Sequence, residues 1–310
     1  MTNDRNGFDP ADHIPPPPRE FRLWTPQPAM PLDEPVERQP NLGYAAMLLV
    51  MILVFLALVS IGFAVAYDIA EGLRHASAHD AAKAFTSRPK ASIFLEAITF
   101  GLTLLTAYAL FPRMWKRPFG EVLSWNSIAA KTNAAKLLLT GVVLSIVAQA
   151  LESFLTLPKE MPVDEFFKHP SDVWIIAIFG TLVAPVCEEI FFRGFLLRGF
   201  AIFHDWIASR WTEADRERWA TTGDLSRRGL IFSGILTSGM FAAMHAAQLG
   251  WAWNAVGVLW VVGGVLTVVR LRFGSVAASA TVHAAYNGFL FVVMFFLTDG
   301  FRHLDKLGSH

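Results

Sequence analysis

Four polar side chains in the second half of the chain have the types needed to hydrolyse a peptide bond. They are Glu188, His245, His283 and Asn287, and each lies in an otherwise apolar segment. An ionisable group at bilayer depth is costly unless it is paired or hydrated, so it is a functional candidate. A carboxylate can take a proton from water, an imidazole can hold that water, and N–H donors can stabilise an oxyanion.

The first group of polar residues is Glu188, Glu189 and Arg193. Glu189 and Arg193 are four residues apart, so they share a helix face in the order that favours an ion pair. Glu188 points about 100° away and has no partner in its own helix. The pattern therefore predicts one neutralised acid and one acid that faces a cavity. A buried packing network of all three residues is the alternative.

The other two groups show the same spacing of four residues. Phe241 precedes His245 by one turn and can pack on its ring, although a lone histidine in an apolar helix is more often an ordinary core residue. His283 and Asn287 share a face and could stabilise an oxyanion or form a hydrogen bond between helices. Small residues around this pair allow close helix approach: Ala277, Ala280, Ala284 and Gly288.

Taken together, these motifs resemble those of the CPBP (CAAX protease and bacteriocin-processing, Abi-like) family. That family includes the type II CAAX prenyl endopeptidases and bacterial members linked to bacteriocin processing or immunity. The order Glu-Glu-x-x-x-Arg, Phe-x-x-x-His, His-x-x-x-Asn is complete between residues 173 and 290. The resemblance implies an intramembrane peptide hydrolase that acts on a peptide or protein substrate at the membrane, including CAAX-type processing.

The resemblance also implies a role for each matching residue. Glu188 corresponds to the catalytic glutamate, and His245 works with it to activate a water. His283 and Asn287 match the oxyanion-stabilising pair. Glu189 and Arg193, together with Phe241, are expected to support them. The family is often described as metalloprotease-like; we expect no required cofactor, and the ligands of any zinc ion would be Glu188, His245 and His283.

Other chemistries fit the sequence less well. Ser238 with His283 could form a serine dyad, and Cys187 is the one candidate thiol nucleophile. There is no His-Glu-x-x-His sequence of the zincin type. A transporter, or a non-catalytic membrane immunity or scaffold protein, could use the same polar residues without hydrolysis.

These residues require a membrane scaffold, and the composition predicts one. Of 310 residues, 54% are hydrophobic and 17% are charged, and the net charge is zero, which argues against a nucleic-acid partner. The prediction is an all-α polytopic bundle of seven to eight transmembrane helices at residues 41–300, with the catalytic part at about 173–297. Seven apolar runs are the predicted spans: 44–66, 91–111, 137–157, 173–197, 230–248, 251–269 and 275–297.

The segments outside these spans complete the prediction. Residues 1–40 are proline-rich and are expected to form a disordered tail. The first half of 198–229 has apolar residues at helical spacing, which suits an interfacial helix or an ordinary amphipathic loop helix. Lys and Arg number 17 on the N-terminal side of the bilayer and 8 on the other, so we expect a cytoplasmic N-terminus in a prokaryotic plasma membrane.

One geometric difficulty arises from these spans. With the fourth span ending near residue 197, Glu188 and His283 lie about 12–15 Å from the cytoplasmic face and His245 lies about 23 Å from it. The fifth helix would have to be tilted or sunken for these residues to meet.

Overall fold

The chain forms a bundle of helices in a computed structural model that describes residues 38–72, 77, 79–81, 83, 88–158 and 161–305. Over these residues every regular element is helical and there is no strand, which confirms the predicted all-α class. The helices are α1 (Leu42–Ala70), α2 (Pro89–Trp115), α3 (Phe119–Val122), α4 (Ser127–Thr132), α5 (Ala134–Glu152), α6 (Pro170–Ala208), α7 (Glu213–Thr221), α8 (Arg227–Met244), α9 (Trp253–Phe273) and α10 (Val276–Leu297).

Six of these helices are long and apolar enough to cross a bilayer: α1, α2, α5, α6, α9 and α10. α1 has a mean hydropathy of 3.0 over its best window and exposes many large apolar side chains, as a lipid-facing helix does. The protein is therefore an integral, multi-pass membrane protein. The predicted fifth span coincides with α8, an 18-residue helix that is not among the six, so the predicted count of seven to eight is not confirmed.

The predicted tail lies almost wholly outside the described residues, which begin at Arg38. Arg38 is packed on the bundle: its Nη2 donates hydrogen bonds to the carbonyls of Trp219 and Thr222, and its guanidinium lies over the Trp219 ring. Ordered contacts therefore begin before the predicted domain boundary at residue 41.

The fourth helix is longer than the sequence analysis predicted. α6 runs for 39 residues, about 58 Å at 1.5 Å per residue. The amphipathic helix predicted in the first half of 198–229 is present, but it is not a separate element, because residues 197–208 continue α6 without a break. The segment has no proline, and Gly199 lies tightly against Leu42 of α1, where tertiary contact supports the helix.

Two π-helical segments interrupt α6 on either side of the paired glutamates. They span Phe179–Val183 and Ile190–Leu196, and between them Ala184–Glu189 is an ordinary α-helix. π-helical turns are uncommon and often occur at functional sites. They change the angular position of the side chains that follow, so the faces of α6 cannot be read from a 3.6-residue period alone.

The alignment of α6 with α8 removes the depth difficulty. Buried Asp205 of α6 accepts hydrogen bonds from the backbone N–H and hydroxyl of Ser226, the N-cap of α8. Ser233 donates to the Leu197 carbonyl at 2.5 Å. Glu188 lies 17 residues before Asp205 and His245 lies 19 residues after Ser226, so the two are about 26 Å and 28 Å from this clamp.

Small residues bring α10 against its neighbours. A Cβ added at Gly141 of α5 would lie 2.5 Å from the Val282 carbonyl and 2.5 Å from Ala285 Cβ. Gly274 ends α9 with φ of +57°, and Ser275 then caps α10 by accepting from the Ala278 N–H. This packing fixes the height of His283 in the bundle.

Candidate active site

The core of the site is the buried ion pair between Glu189 and Arg193. Arg193 Nη1 lies 2.8 Å from Glu189 Oε1, and both side chains are 0% exposed. Arg193 Nη2 also donates to the Gly263 carbonyl of α9 at 2.9 Å. The ion pair that the spacing predicted is present, and it joins α6 to α9.

His283 of α10 lies between the two glutamates. Its Nδ1 is 3.1 Å from Glu189 Oε1, and its Nε2 is 3.8 Å from Glu188 Oε2. Because Glu189 is held by Arg193 as a carboxylate, it can only accept, so the proton of the neutral ring belongs on Nδ1. Nε2 then presents a lone pair toward Glu188, and it becomes a donor when the ring is fully protonated.

Glu188 differs from Glu189 in both partner and exposure. Its side chain is 11% exposed, whereas that of Glu189 is fully buried. The side chain facing it is the His283 ring, while the Arg193 guanidinium is bound to Glu189. Glu188 is therefore placed to act on a molecule in the site, and Glu189 is placed to orient the histidine.

Phe241 links the second histidine to this cluster. Its ring centroid is 4.9 Å from that of His245 and 5.5 Å from that of His283, and the Arg193 guanidinium lies 4.8 Å from the same ring. His245 Nδ1 is 2.8 Å from the Phe241 carbonyl, which can only accept. In its neutral form His245 therefore also presents an unprotonated Nε2.

Asn287 is held differently from the other predicted site residues. Its Nδ2 donates to the Gly180 carbonyl at 2.7 Å, within the first π-helical segment of α6. One amide proton thus joins α10 to α6, which is the helix–helix bond considered as an alternative, and a second amide proton remains for another acceptor. Asn287 does not contact Glu188 or either histidine by hydrogen bond.

Several groups at the site were not identified from the sequence. The carbonyls of Gly180 and Gly263 anchor Asn287 and Arg193, and the Ser279 side chain interacts with Glu189. Glu96 of α2 acts electrostatically on Glu188. No local motif marks the carbonyls or Ser279, but Glu96 could have been singled out as a carboxylate within an apolar run.

The alternative nucleophiles have other environments. The Ser238 hydroxyl is 3.2 Å from the Thr267 hydroxyl and is buried between α8 and α9, away from His283. Cys187 is a free, buried thiol. Neither residue is joined to a base in the way that a serine or cysteine nucleophile requires.

A zinc site would need at least three converging ligands. Across the part of the chain that the structure describes, no group of three or more His, Cys, Asp and Glu side chains is arranged to hold a metal ion. Glu188, His245 and His283 as placed do not form such a set.

The comparisons with known proteins agree with the motifs. The family model for the type II CAAX prenyl endopeptidase, Rce1-like, matches residues 170–289 and confirms the resemblance over that region. The chain is also similar to an uncharacterized protein, YyaK, of Bacillus subtilis (strain 168), with 26% identity over 220 residues. That alignment covers 68% of this chain and 64% of the relative. No solved structure matches the chain.

Proposed function

We propose that this protein is an intramembrane endopeptidase that hydrolyses a peptide bond of a membrane-associated substrate and processes CAAX-type chain ends. The observation that carries the proposal is the connected series Arg193–Glu189–His283–Glu188 within membrane-spanning helices. The family match over the same helices gives the reaction class.

Glu188 and His283 together can hold the attacking water. Their facing atoms are 3.8 Å apart, so one water can lie within hydrogen-bond distance of both. Glu188 takes a proton from this water as the oxygen attacks the scissile carbonyl carbon. The C–N bond then breaks as the same proton passes to the leaving amine, which regenerates the carboxylate.

The charge that develops on the carbonyl oxygen needs donors. The second amide proton of Asn287 is one, and the Nε2–H of His283 is another when the ring enters the reaction with both nitrogens protonated. Glu189 orients the ring because its carboxylate accepts from Nδ1. His245 adds an acceptor on the α8 side of the site, which orients the water or the substrate.

A cleavage assay with a defined peptide tests the proposal. The full chain is reconstituted in liposomes with a fluorogenic farnesylated peptide ending in Cys-a-a-X, and the same peptide without the farnesyl group tests the need for a lipid. Glu188→Gln removes the base and keeps the side-chain shape, so we expect cleavage to fall by about 10²–10⁴ or below detection. Asn287→Ala loses one oxyanion donor, and we expect a measurable residual cleavage rate about 10²–10³ below that of the parent protein.

Folding is checked in parallel by thermal unfolding of each variant. Full cleavage activity in a folded Glu188→Gln protein would show that Glu188 is not the general base. If neither peptide is cleaved, the membrane proteome of cells with the parent protein is compared with that of cells with Glu188→Ala. No difference in any membrane protein would favour the non-catalytic immunity, scaffold or transport role.

A further inference from the structure

Two arginines near the site form no ion pair with the described residues, although Asp224 acts on Arg198 and Glu189 acts on Arg270 at longer range. Arg198 of α6 and Arg270 of α9 form no hydrogen bond or ion pair through their side chains with the described residues. The Nε of each is buried without a hydrogen-bond partner. Since buried cationic groups are normally paired and hydrogen-bonded, both guanidiniums keep donors for an anionic ligand.

The two arginines lie on one side of the catalytic cluster. Arg270 is seven residues beyond Gly263, whose carbonyl binds Arg193, so it lies on nearly the same face of α9 and about 10 Å further along. Arg198 is five residues beyond Arg193 on α6, which runs in the same direction. Arg198 and Arg270 are close enough to repel each other, and Glu189 is the acidic group that acts on Arg270.

Arg270 faces the interior of the bundle. Val261 and Val268 of α9 are 59% and 56% exposed and mark the lipid-facing side of that helix. Both are about 160–180° around the helix from Arg270. A ligand of Arg270 therefore approaches from within the bundle, on the side of the catalytic cluster.

We propose that Arg198 and Arg270 bind the free C-terminal carboxylate of the peptide substrate, an assignment that rests on the proposed function. A guanidinium presents a planar set of donors that matches a carboxylate with two parallel hydrogen bonds. About 10 Å is the span of three extended residues. In a CAAX chain end three residues follow the cysteine, so cleavage after the cysteine within the catalytic cluster places the terminal carboxylate at the level of the arginine pair.

The test measures binding rather than turnover. The Glu188→Gln full-length protein, in phosphatidylcholine nanodiscs, is titrated with a labelled farnesylated peptide that ends either in a free carboxylate or in a carboxamide. We expect the carboxamide to bind about 10- to 100-fold more weakly, because it lacks the charge-assisted hydrogen bonds. Adding Arg198→Gln or Arg270→Gln should weaken binding of the carboxylate peptide and abolish its higher affinity relative to the carboxamide peptide.

Matched variants separate the pair from general charge effects. Arg272→Gln removes an exposed cation from the same helix and should leave the preference for the carboxylate unchanged. Arg270→Lys keeps the charge but loses the planar donors, and it should retain part of the preference. If a thermal unfolding assay shows that Arg270→Gln does not fold, Arg270→Lys replaces it in the binding experiment.

Two results would overturn the assignment. One is equal binding of the two peptides to the Glu188→Gln protein. The other is a preference for the carboxylate peptide that persists in the double variant Arg198→Gln/Arg270→Gln. If phosphatidylglycerol also raises the thermal stability of the parent protein but not of this double variant, the arginine pair binds a lipid phosphate instead. If the parent protein cleaves the peptide but binding shows no preference for the carboxylate, the proposed function stands and the carboxylate site is rejected. If binding shows the preference but the parent protein cleaves neither peptide, the carboxylate site stands and the proposed function is rejected.

Discussion

At the scale of single residues, two adjacent glutamates have different tasks because they have different partners. Glu189 is fully buried against Arg193 and His283, whereas Glu188 is slightly exposed and faces only the far nitrogen of His283. A carboxylate that already has two cationic or donor partners cannot easily release them to act on water. Glu188 is thus the carboxylate available to act on water, and Glu189 fixes the orientation of the His283 ring beside it.

The Glu189–Arg193 pair gives a stability prediction. Arg193→Ala leaves a buried carboxylate without its main counter-ion, and we expect it to lower the free energy of unfolding by about 3–5 kcal/mol. Arg117→Ala, which removes an exposed partner of Glu121, should cost about 0–1 kcal/mol. Unfolding in detergent measures both, and the assignment fails if Arg193→Ala keeps full stability and activity.

Metal dependence is a second prediction at this scale. The mechanism uses Glu188 and the histidines directly, so we expect the purified protein to keep its cleavage activity after dialysis against a chelator. Metal analysis of the same sample gives the stoichiometry. Stoichiometric zinc, with activity lost on chelation and restored by zinc, would replace this mechanism with a metal-assisted one.

At the scale of elements, the site depends on the register between α6, α8 and α10. Asp205 and Ser226 align α6 with α8, and Gly141 allows α10 to pack closely on α5. The π-helical segments on both sides of Glu188 and Glu189 set the directions in which these acids point. The Asp205–Ser226 contact lies about 26 Å along α6 from Glu188, yet it helps to decide whether the reacting residues meet.

The register clamp can be tested at Asp205. Asp205→Ala leaves the Ser226 N–H without its acceptor and removes one carboxylate partner of Arg218, which keeps the Asp224 carbonyl and Asp215. We expect a loss of about 2–4 kcal/mol in stability. We also expect lower cleavage activity per folded molecule, because His245 depends on the position of α8. Glu213→Ala removes an exposed acid of the neighbouring helix and is the control. Unchanged unfolding and activity in Asp205→Ala would show that the clamp does not set the register.

At the scale of the whole molecule, the apolar exterior and polar interior of the bundle divide the protein into a lipid-facing scaffold and a protected site. α1 exposes mainly aliphatic side chains, while Glu189, Arg193 and His283 of α6 and α10 are buried inside the bundle. Lys and Arg are concentrated at the end where α1 begins and α6 ends. That asymmetry predicts the orientation in the membrane.

The orientation can be measured with single cysteines in a Cys187→Ala background. Arg216→Cys, between α6 and α8, should react with an impermeant maleimide only after the cells are permeabilised. Arg302→Cys, after α10, should react in intact cells. Both positions are exposed, so the side of the membrane decides their reactivity. The reverse pattern would contradict a cytoplasmic N-terminus.

The sequence by itself determined the membrane class and most helix positions, and it singled out the candidate residues of the site. Those features follow from local properties: apolar runs long enough for a bilayer, and spacings of four residues that place side chains on one helix face. The Glu189–Arg193 pair was predictable for this reason, because both partners lie on one helix. The six candidate spans begin or end within a few residues of the predicted runs, except at α6.

Only the tertiary structure decided how far α6 extends, which histidine stands beside Glu188 and what holds Asn287. The continuation of α6 to Ala208 depends on contacts with α1 and on the Asp205–Ser226 clamp, which join residues far apart in the chain. The π-helical segments rotate side chains away from the directions that a regular helix predicts. The bonds from Arg193 and Asn287 go to backbone carbonyls, which every residue possesses, so no side-chain pattern in the sequence could identify them.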